Sequence, residues 1–404
     1  MKILFIETLG DGGIAHYTHN LVNALKKREC DVTLITTSMY ELIEQKESIR
    51  LHCIFFKFAF ALIRKFSVLS KETSIPTLLR RLIKIIEYPI NVMQCLLIAR
   101  SAKADIIHFQ TIHLIDMIMV IMFKVFGLKI VYTIHNVMPG HKKLNPLQRL
   151  LYGFFYYNCN FLIIHSDVSK KTAVKLYWIN PEKVFVVPHG DYKFFVPDIP
   201  LSKDEAKDKL GFANESKIIL FFGAIRQNKG LQDILAALPR IKETIPNVLL
   251  AIVGEALRDY KKYTKQVALL GIRDCVYEML EYVPNEEVHV YFCASDLVVL
   301  PYTEISQSGV LQVAYAFGKP VVATCIGGFQ EAVKDGENGF LVPPGDPDIL
   351  AAKIIEVLND STKMESMGKN SLFLSDTKYS WDSIAEKTNG IYEELLNIKR
   401  SPSF

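Results

Sequence analysis

"DLVVLPYTEISQSGVLQVAYAFGKPVVAT", residues 296–324, contains a strand, a turn, a helix and a second strand in succession. Asp296–Leu300 and Pro320–Thr324 are apolar runs of strand length, and the segment between them is an apolar helix. Two such strands joined through a helix are parallel neighbours in a sheet covered on both faces. The polar cluster Thr303–Gly309 interrupts the pattern at the carboxyl end of the first strand, where open α/β sheets bind their ligands. Ordinary loop chemistry, with Pro, Ser and Gly in a turn and Ser as a helix cap, accounts for the same residues and stays open at this point.

The alternation extends in both directions. Strand candidates in the first half are Lys2–Ile6, Asp31–Thr36, His52–Phe56, Asp105–Phe109, Lys129–Ile134, Phe161–His165 and Val184–Val187. A second series follows the polar stretch "DIPLSKDEAKDKLGFANES": Lys217–Phe222, Val248–Val253, Asp296–Leu300, Pro320–Thr324 and Gly339–Val342. The expected fold is α/β, with two doubly wound Rossmann-like domains, 1–196 and 197–379, whose ligand-binding strand edges face one cleft.

A chain of 404 residues, half of them apolar, can bury a core in each domain. The seven cysteines are scattered, with no C-x-x-C or Cys/His cluster, which argues for a reducing compartment and against structural zinc. "MKILFIETLGDGG" breaks at Gly10 without a cleavage site of small residues, so the expected location is cytoplasmic. Residues 1–196 carry 25 basic against 14 acidic residues, and 197–404 carry 22 against 29. Nine of the basic residues lie between Leu51 and Lys103, among aliphatic and aromatic side chains and only two acids. That pattern suits an interfacial segment on an anionic membrane surface, and equally a solvated face over a core helix. No run there reaches the roughly 18 to 20 uncharged residues of a spanning helix. "LIDMIMVIMFKVFGL", 114–128, reads as a buried helix.

Two strands end in glycine turns ahead of a helix. "ETLGDGGIAHYTHNLVNAL" places Gly12 and Gly13 where the backbone can approach an anion at a helix end, although Glu7 and Asp11 oppose a phosphate directly on the loop. "FFGAIRQNKGLQDILAAL" repeats the device with Gly223 and adds Arg226 and Lys229, a fork and a point charge suited to a diphosphate. Amides of Ser308, Gly309 and Val310 open the helix of the first-quoted stretch, and Ser306 and Gln307 offer side-chain hydrogen bonds. His135, just past a strand, sits where a cleft residue belongs; capping a turn with Asn136 is the plainer reading. His113, His141, His165 and His189 have weaker claims.

"GDGGIAHYTHNLVNAL", "VYTIHNVMPG", "VVPHGD", "FFGAIRQNKGL", "QSGVLQVAYAFGKPVVAT", "GGFQEAVKDGENGFLVPPGD" and "YSWDSIAEKTNGIYEELL" together resemble, in order, the motifs of family 4 of the retaining glycosyltransferases, which have the GT-B fold. The resemblance covers nearly the whole chain. It implies a nucleotide-diphosphate sugar held by the C-terminal domain, a glycan or lipid-linked acceptor held by the N-terminal domain, no cofactor and no required metal. It also implies a last helix, about 380–398, that packs Trp381 and Tyr392–Leu396 on the first domain. The family loop carries two glutamates; counting from Glu304 the partner position is Gln312, aligning on "GKP" instead pairs Ile305 with Val313, neither gives the second carboxylate, and the loop resembles that of a subgroup with "QSG". His135 matches a histidine beside the transferred sugar, and Arg226, Lys229 and Glu304 match catalytic and donor-binding positions. A catalytically silent sugar-nucleotide-binding protein is the main rival, motivated by Gln312. A dinucleotide-dependent oxidoreductase fits less well, because G-x-G-x-x-G is absent after the first strand.

Overall fold

The computed structural model describes residues 1–43, 49–57, 59, 77–111, 116–138, 144–256, 260–305 and 307–397. Ser306, an expected donor ligand, lies outside them, as do His113, His141 and much of the basic segment after Lys57. The chain divides into two compact units, one formed by Met1–Pro188 with Trp381–Phe404 and the other by His189–Ser380. The division expected at residue 196 thus moves to residue 188, because Tyr192 is buried in the apolar core of the second unit.

The first unit is built on seven parallel strands, β1 (Lys2–Ile6), β2 (Asp31–Thr37), β3 (Arg50–Phe55), β4 (Ile106–Phe109), β5 (Lys129–Ile134), β6 (Phe161–Ile164) and β7 (Val184–Val186), in the order β3-β2-β1-β4-β5-β6-β7. Side chains alternate across the sheet. Ile3 and Phe5 face α1 (Gly12–Lys27) and the last helix, α14 (Trp381–Asn397), through Leu21, Leu25, Ile384 and Tyr392. Leu4 and Ile6 face the opposite core, which takes residues from α2 (Thr77–Ser101), α3 (Met117–Val125), α4 (Pro146–Asn158) and α5 (Asp167–Tyr177). The helix expected to be buried over 114–128 is only half so. Met119, Val120 and Phe123 enter the core, whereas Ile118, Ile121 and Val125 point outward, because α3 lies on the sheet by one side alone. Leu82–Ser101 of α2 is long and apolar enough to cross a membrane by length and composition, yet it is docked on the sheet through Val92, Cys95 and Leu96.

The second unit has six parallel strands, β8 (Lys217–Phe222), β9 (Val248–Val253), β10 (Val276–Met279), β11 (Leu297–Leu300), β12 (Val321–Thr324) and β13 (Gly339–Val342), in the order β10-β9-β8-β11-β12-β13. Its helices are α6 (Lys203–Leu210), α7 (Leu231–Thr244), α8 (Lys261–Leu270), α9 (Val288–Ala294), α10 (Gly309–Ala316), α11 (Phe329–Ala332), α12 (Pro347–Asn359) and α13 (Ser361–Asp376). The sequence reading missed β10, whose half-buried residues at the sheet edge lack a continuous apolar run. Each sheet has one switch point at which sequence-distant strands become neighbours: β1 beside β4, and β8 beside β11.

Candidate active site

At the β8/β11 switch point two loops are tied together. Asn228, in a single 3₁₀ turn over Gln227–Lys229, accepts from the Thr303 amide at 2.9 Å, and its side-chain amide donates to the Glu304 carbonyl at 3.3 Å. Gly230 makes this approach possible: its φ is +69°, and a Cβ there would lie 1.7 Å from the Pro301 oxygen. Gly223 closes the other side, with a φ of +98° and space for a Cβ only 3.3 Å from Cγ2 of Val310. Arg226, Lys229, Glu304 and the start of α10 are therefore gathered at one strand edge of the second unit.

Electrostatics at this edge favour an anion. Lys229 Nζ lies 3.7 Å from the centroid of the buried Tyr302 ring, a contact that holds the ammonium while using none of its three hydrogen-bond donors. Arg226 is exposed, and among the described residues neither cation is in an ion pair. Ser308 caps α10, its Oγ accepting from the Leu311 amide at 3.3 Å. The amides of Gly309 and Val310 have no intrahelical acceptors and carry the positive end of the helix dipole. Gly309 also lies tight against Tyr192, whose hydroxyl would be 2.9 Å from an added Cβ. Gln307 is half-buried beside them. Gln312, one turn further on, is buried, and its Oε1 has no hydrogen-bond partner among the described residues.

His135, Gly12 and Gly13 belong to the first unit. Glu7 organises the glycine turn: its carboxylate accepts from the Leu9 amide at 2.7 Å, the Gly10 amide at 2.9 Å and the Thr36 hydroxyl at 2.9 Å. Burial holds that carboxyl above its usual range despite these bonds. Gly12 has a φ of +70° and opens α1, and a Cβ there would meet nothing within 4 Å. His16 and Glu41, 3.2 Å apart beside this turn, were missed by the sequence reading because only the fold brings α1 to the end of β2. Burial lowers the His16 imidazole to about 4.

The half-buried His135 is part of a polar row across the ends of β4, β5 and β6. Its Nε2 lies 3.0 Å from Gln110 Oε1, and its Nδ1 lies 3.1 Å from His165 Nε2; His165 Nδ1 donates to the Val187 carbonyl at 3.0 Å. With a carbonyl oxygen at each end, the row calls for a proton on His135 Nε2 and on His165 Nδ1. His165 thus gains a place beside His135 that its sequence neighbours did not signal. His189 instead stacks on Tyr192, with burial lowering it to about 4. A cavity of about 400 Å³ lies at the other end of β11 and β12. Its half-buried Lys319, lowered by desolvation to about 8, bonds to the Cys293 and Ser295 carbonyls and so acts as a helix-end cap.

Comparisons with known proteins agree with this geometry. Residues 202–372 match the model of the glycosyl transferases group 1, and residues 11–190 match that of glycosyltransferase family 4. A D-inositol 3-phosphate glycosyltransferase of Corynebacterium diphtheriae is 28% identical over 247 residues, 60% of this chain and 57% of that protein. An uncharacterized glycosyltransferase of Methanocaldococcus jannaschii is 30% identical over 249 residues, 60% of this chain and 62% of its own. These alignments span only about three fifths of the relatives' lengths. Among solved structures, sucrose-phosphate synthase from Thermosynechococcus elongatus superposes with a TM-score of 0.76 at 21% identity, covering 98% of this chain and all of that one. The Anabaena protein HepE, solved in complex with UDP and glucose, gives 0.74 at 21% identity, with 98% of this chain and 100% of that one covered. Two parallel α/β sheets, two loops tied at the second switch point and two family matches that between them take in most of the chain make it a GT-B protein of glycosyltransferase family 4.

Proposed function

We propose that this chain transfers a sugar from a nucleotide-diphosphate donor to a hydroxyl of a glycan or lipid-linked acceptor, with retention at the anomeric carbon and without a metal. The observation that carries the reading is the joined pair of loops at β8 and β11, which sets Arg226, Lys229 and the Gly309 and Val310 amides at one strand edge. HepE, of the same fold, binds UDP and glucose, which supports a UDP-sugar as the first donor to try.

In this mechanism the diphosphate lies across the α10 amides, and the two cations neutralise it as the bond from the anomeric carbon to the phosphate oxygen breaks. The acceptor oxygen attacks on the same face, and its proton passes to the departing phosphate. Such stabilisation contributes about 3 to 4 kcal/mol per well-placed donor. Gln312 takes the place of the family's second glutamate, and its buried Oε1 suits a ribose hydroxyl. The His135–His165 pair of the first unit suits hydroxyls of the acceptor. The expected setting is cytoplasmic, in the synthesis of cell-surface polysaccharide or glycoconjugate.

Incubation with a panel of UDP-, GDP- and ADP-sugars, followed by mass spectrometry, tests the reading. Transfer to an acceptor, or slow donor hydrolysis, is the expected result, and the product's anomeric configuration reports retention. Tight nucleotide-sugar binding with neither reaction would favour the silent binding protein that the loss of the second glutamate suggests.

A further inference from the structure

Three neighbouring helices of the first unit, α2, α3 and α4, turn apolar side chains away from the sheet. On α2 the outward residues Leu82, Ile86, Ile90, Met93 and Leu97 recur at helical spacing along one side, with Ile86 74% exposed. α3 adds Ile118, Ile121 and Val125, the last 77% exposed. α4 adds Leu147, Leu150, Phe154 and Tyr157, one residue per turn. The helices are in register at their carboxyl ends: the Arg100 guanidinium lies 4.5 Å from the Phe126 ring centroid, and Lys124 reaches both Asn158, at 3.0 Å, and the Tyr157 ring. Lys183 lies over that same ring at 5.5 Å. The three stripes thus form one apolar face larger than scattered surface residues would make.

Charge decides what covers it. The only acids on or capping these helices are Glu87 and Asp116, 3% and 1% exposed, so no described carboxylate projects from the face. Arg100, Lys124 and Lys183 border it at one end, each folded over an aromatic ring. Aliphatic stripes ending in a belt of rings and cations suit a lipid boundary, with chains inserted below and cations against phosphates. Between Leu82 and Leu97 of α2, Gln94 is the one exposed polar side chain, fewer polar groups than the roughly one hydrogen bond per 100–200 Å² of a polar protein interface. We infer that the outer face of α2, α3 and α4 docks on an anionic phospholipid bilayer. This inference is independent of the proposed transfer reaction, and it extends the basic segment read in the sequence to two helices beyond it.

The full chain sedimented with phosphatidylglycerol–phosphatidylcholine vesicles should bind at least about tenfold more strongly than with pure phosphatidylcholine, and less as salt rises from about 0.1 M to about 1 M. Val125→Glu with Leu150→Glu should remove binding at least about tenfold, since acids on the lipid side oppose insertion. Both positions are exposed, so the fold should be kept, as circular dichroism would show. Arg100→Gln with Lys124→Gln should reduce the preference for anionic over neutral vesicles. UDP affinity, measured in parallel, should be unchanged in all variants, which separates a failed membrane site from a failed donor site. Unchanged vesicle binding by the double glutamate variant would overturn the inference. So would a dimer in gel filtration that Val125→Glu dissociates, because a second copy would then be the cover.

Discussion

Replacing Gly230 by alanine isolates the contact that holds the two donor loops together. Its cost has two parts. A left-handed φ of +69° costs a residue with a Cβ about 1 to 2 kcal/mol. The Cβ would also sit 1.7 Å from a backbone oxygen, so the β8 and β11 loops must part by more than about 1 Å to reach even a tight contact. Gly211 provides the control: its φ is +70°, in the same unit, with nothing within 4 Å of an added Cβ. Gly211→Ala should therefore lower the melting temperature by about 2 to 8 °C, the effect of its backbone term alone. Gly230→Ala should lower it clearly further, placing the change among the strongly destabilising ones of about 4 kcal/mol or more. Displacing a binding group by about 1 Å is enough to reduce turnover about a hundredfold, so UDP-sugar transfer should fall accordingly. Calorimetry of both variants and nucleotide titration would measure these effects. Equal melting temperatures for the two variants, with wild-type UDP affinity in Gly230→Ala, would refute the claim that loop contact builds the site.

Arg226→Ala and Lys229→Ala should each lower kcat/KM at least about tenfold, equivalent to roughly 1.4 kcal/mol, with circular dichroism unchanged; normal kinetics in both would remove them from the diphosphate site. Transfer should persist in excess EDTA, and a complete loss restored by magnesium would contradict charge neutralisation by the two cations. Stability should fall in acid. His16 and His189, at about 4, and His108, at about 3, sit below the ordinary imidazole value because they are buried, so the unfolded chain takes up protons that the native chain refuses. Their contribution is complete above about pH 6.5 and is lost progressively as pH falls towards 4, a loss that denaturation midpoints across that range would register.

Strands with both faces buried announce themselves as unbroken apolar runs, so Lys2–Ile6, Lys129–Ile134, Lys217–Phe222 and Val248–Val253 were legible to the residue. So were the cations of "RQNKG" and the helix opening at "SGV", because glycine turns and charges at strand ends are local chemistry. β10, at an edge, had no such run to show. Contacts between segments far apart in sequence were not legible either. The Asn228–Thr303 tie, the Gly230–Pro301 approach and the His135–His165 pair each join residues on different strand ends, and only the packed sheet decides which ends are neighbours. The same holds for the outer face of α3. Composition says that the helix is apolar, but which side it turns to the sheet is set by the strands beneath it, and the sheet can cover only one.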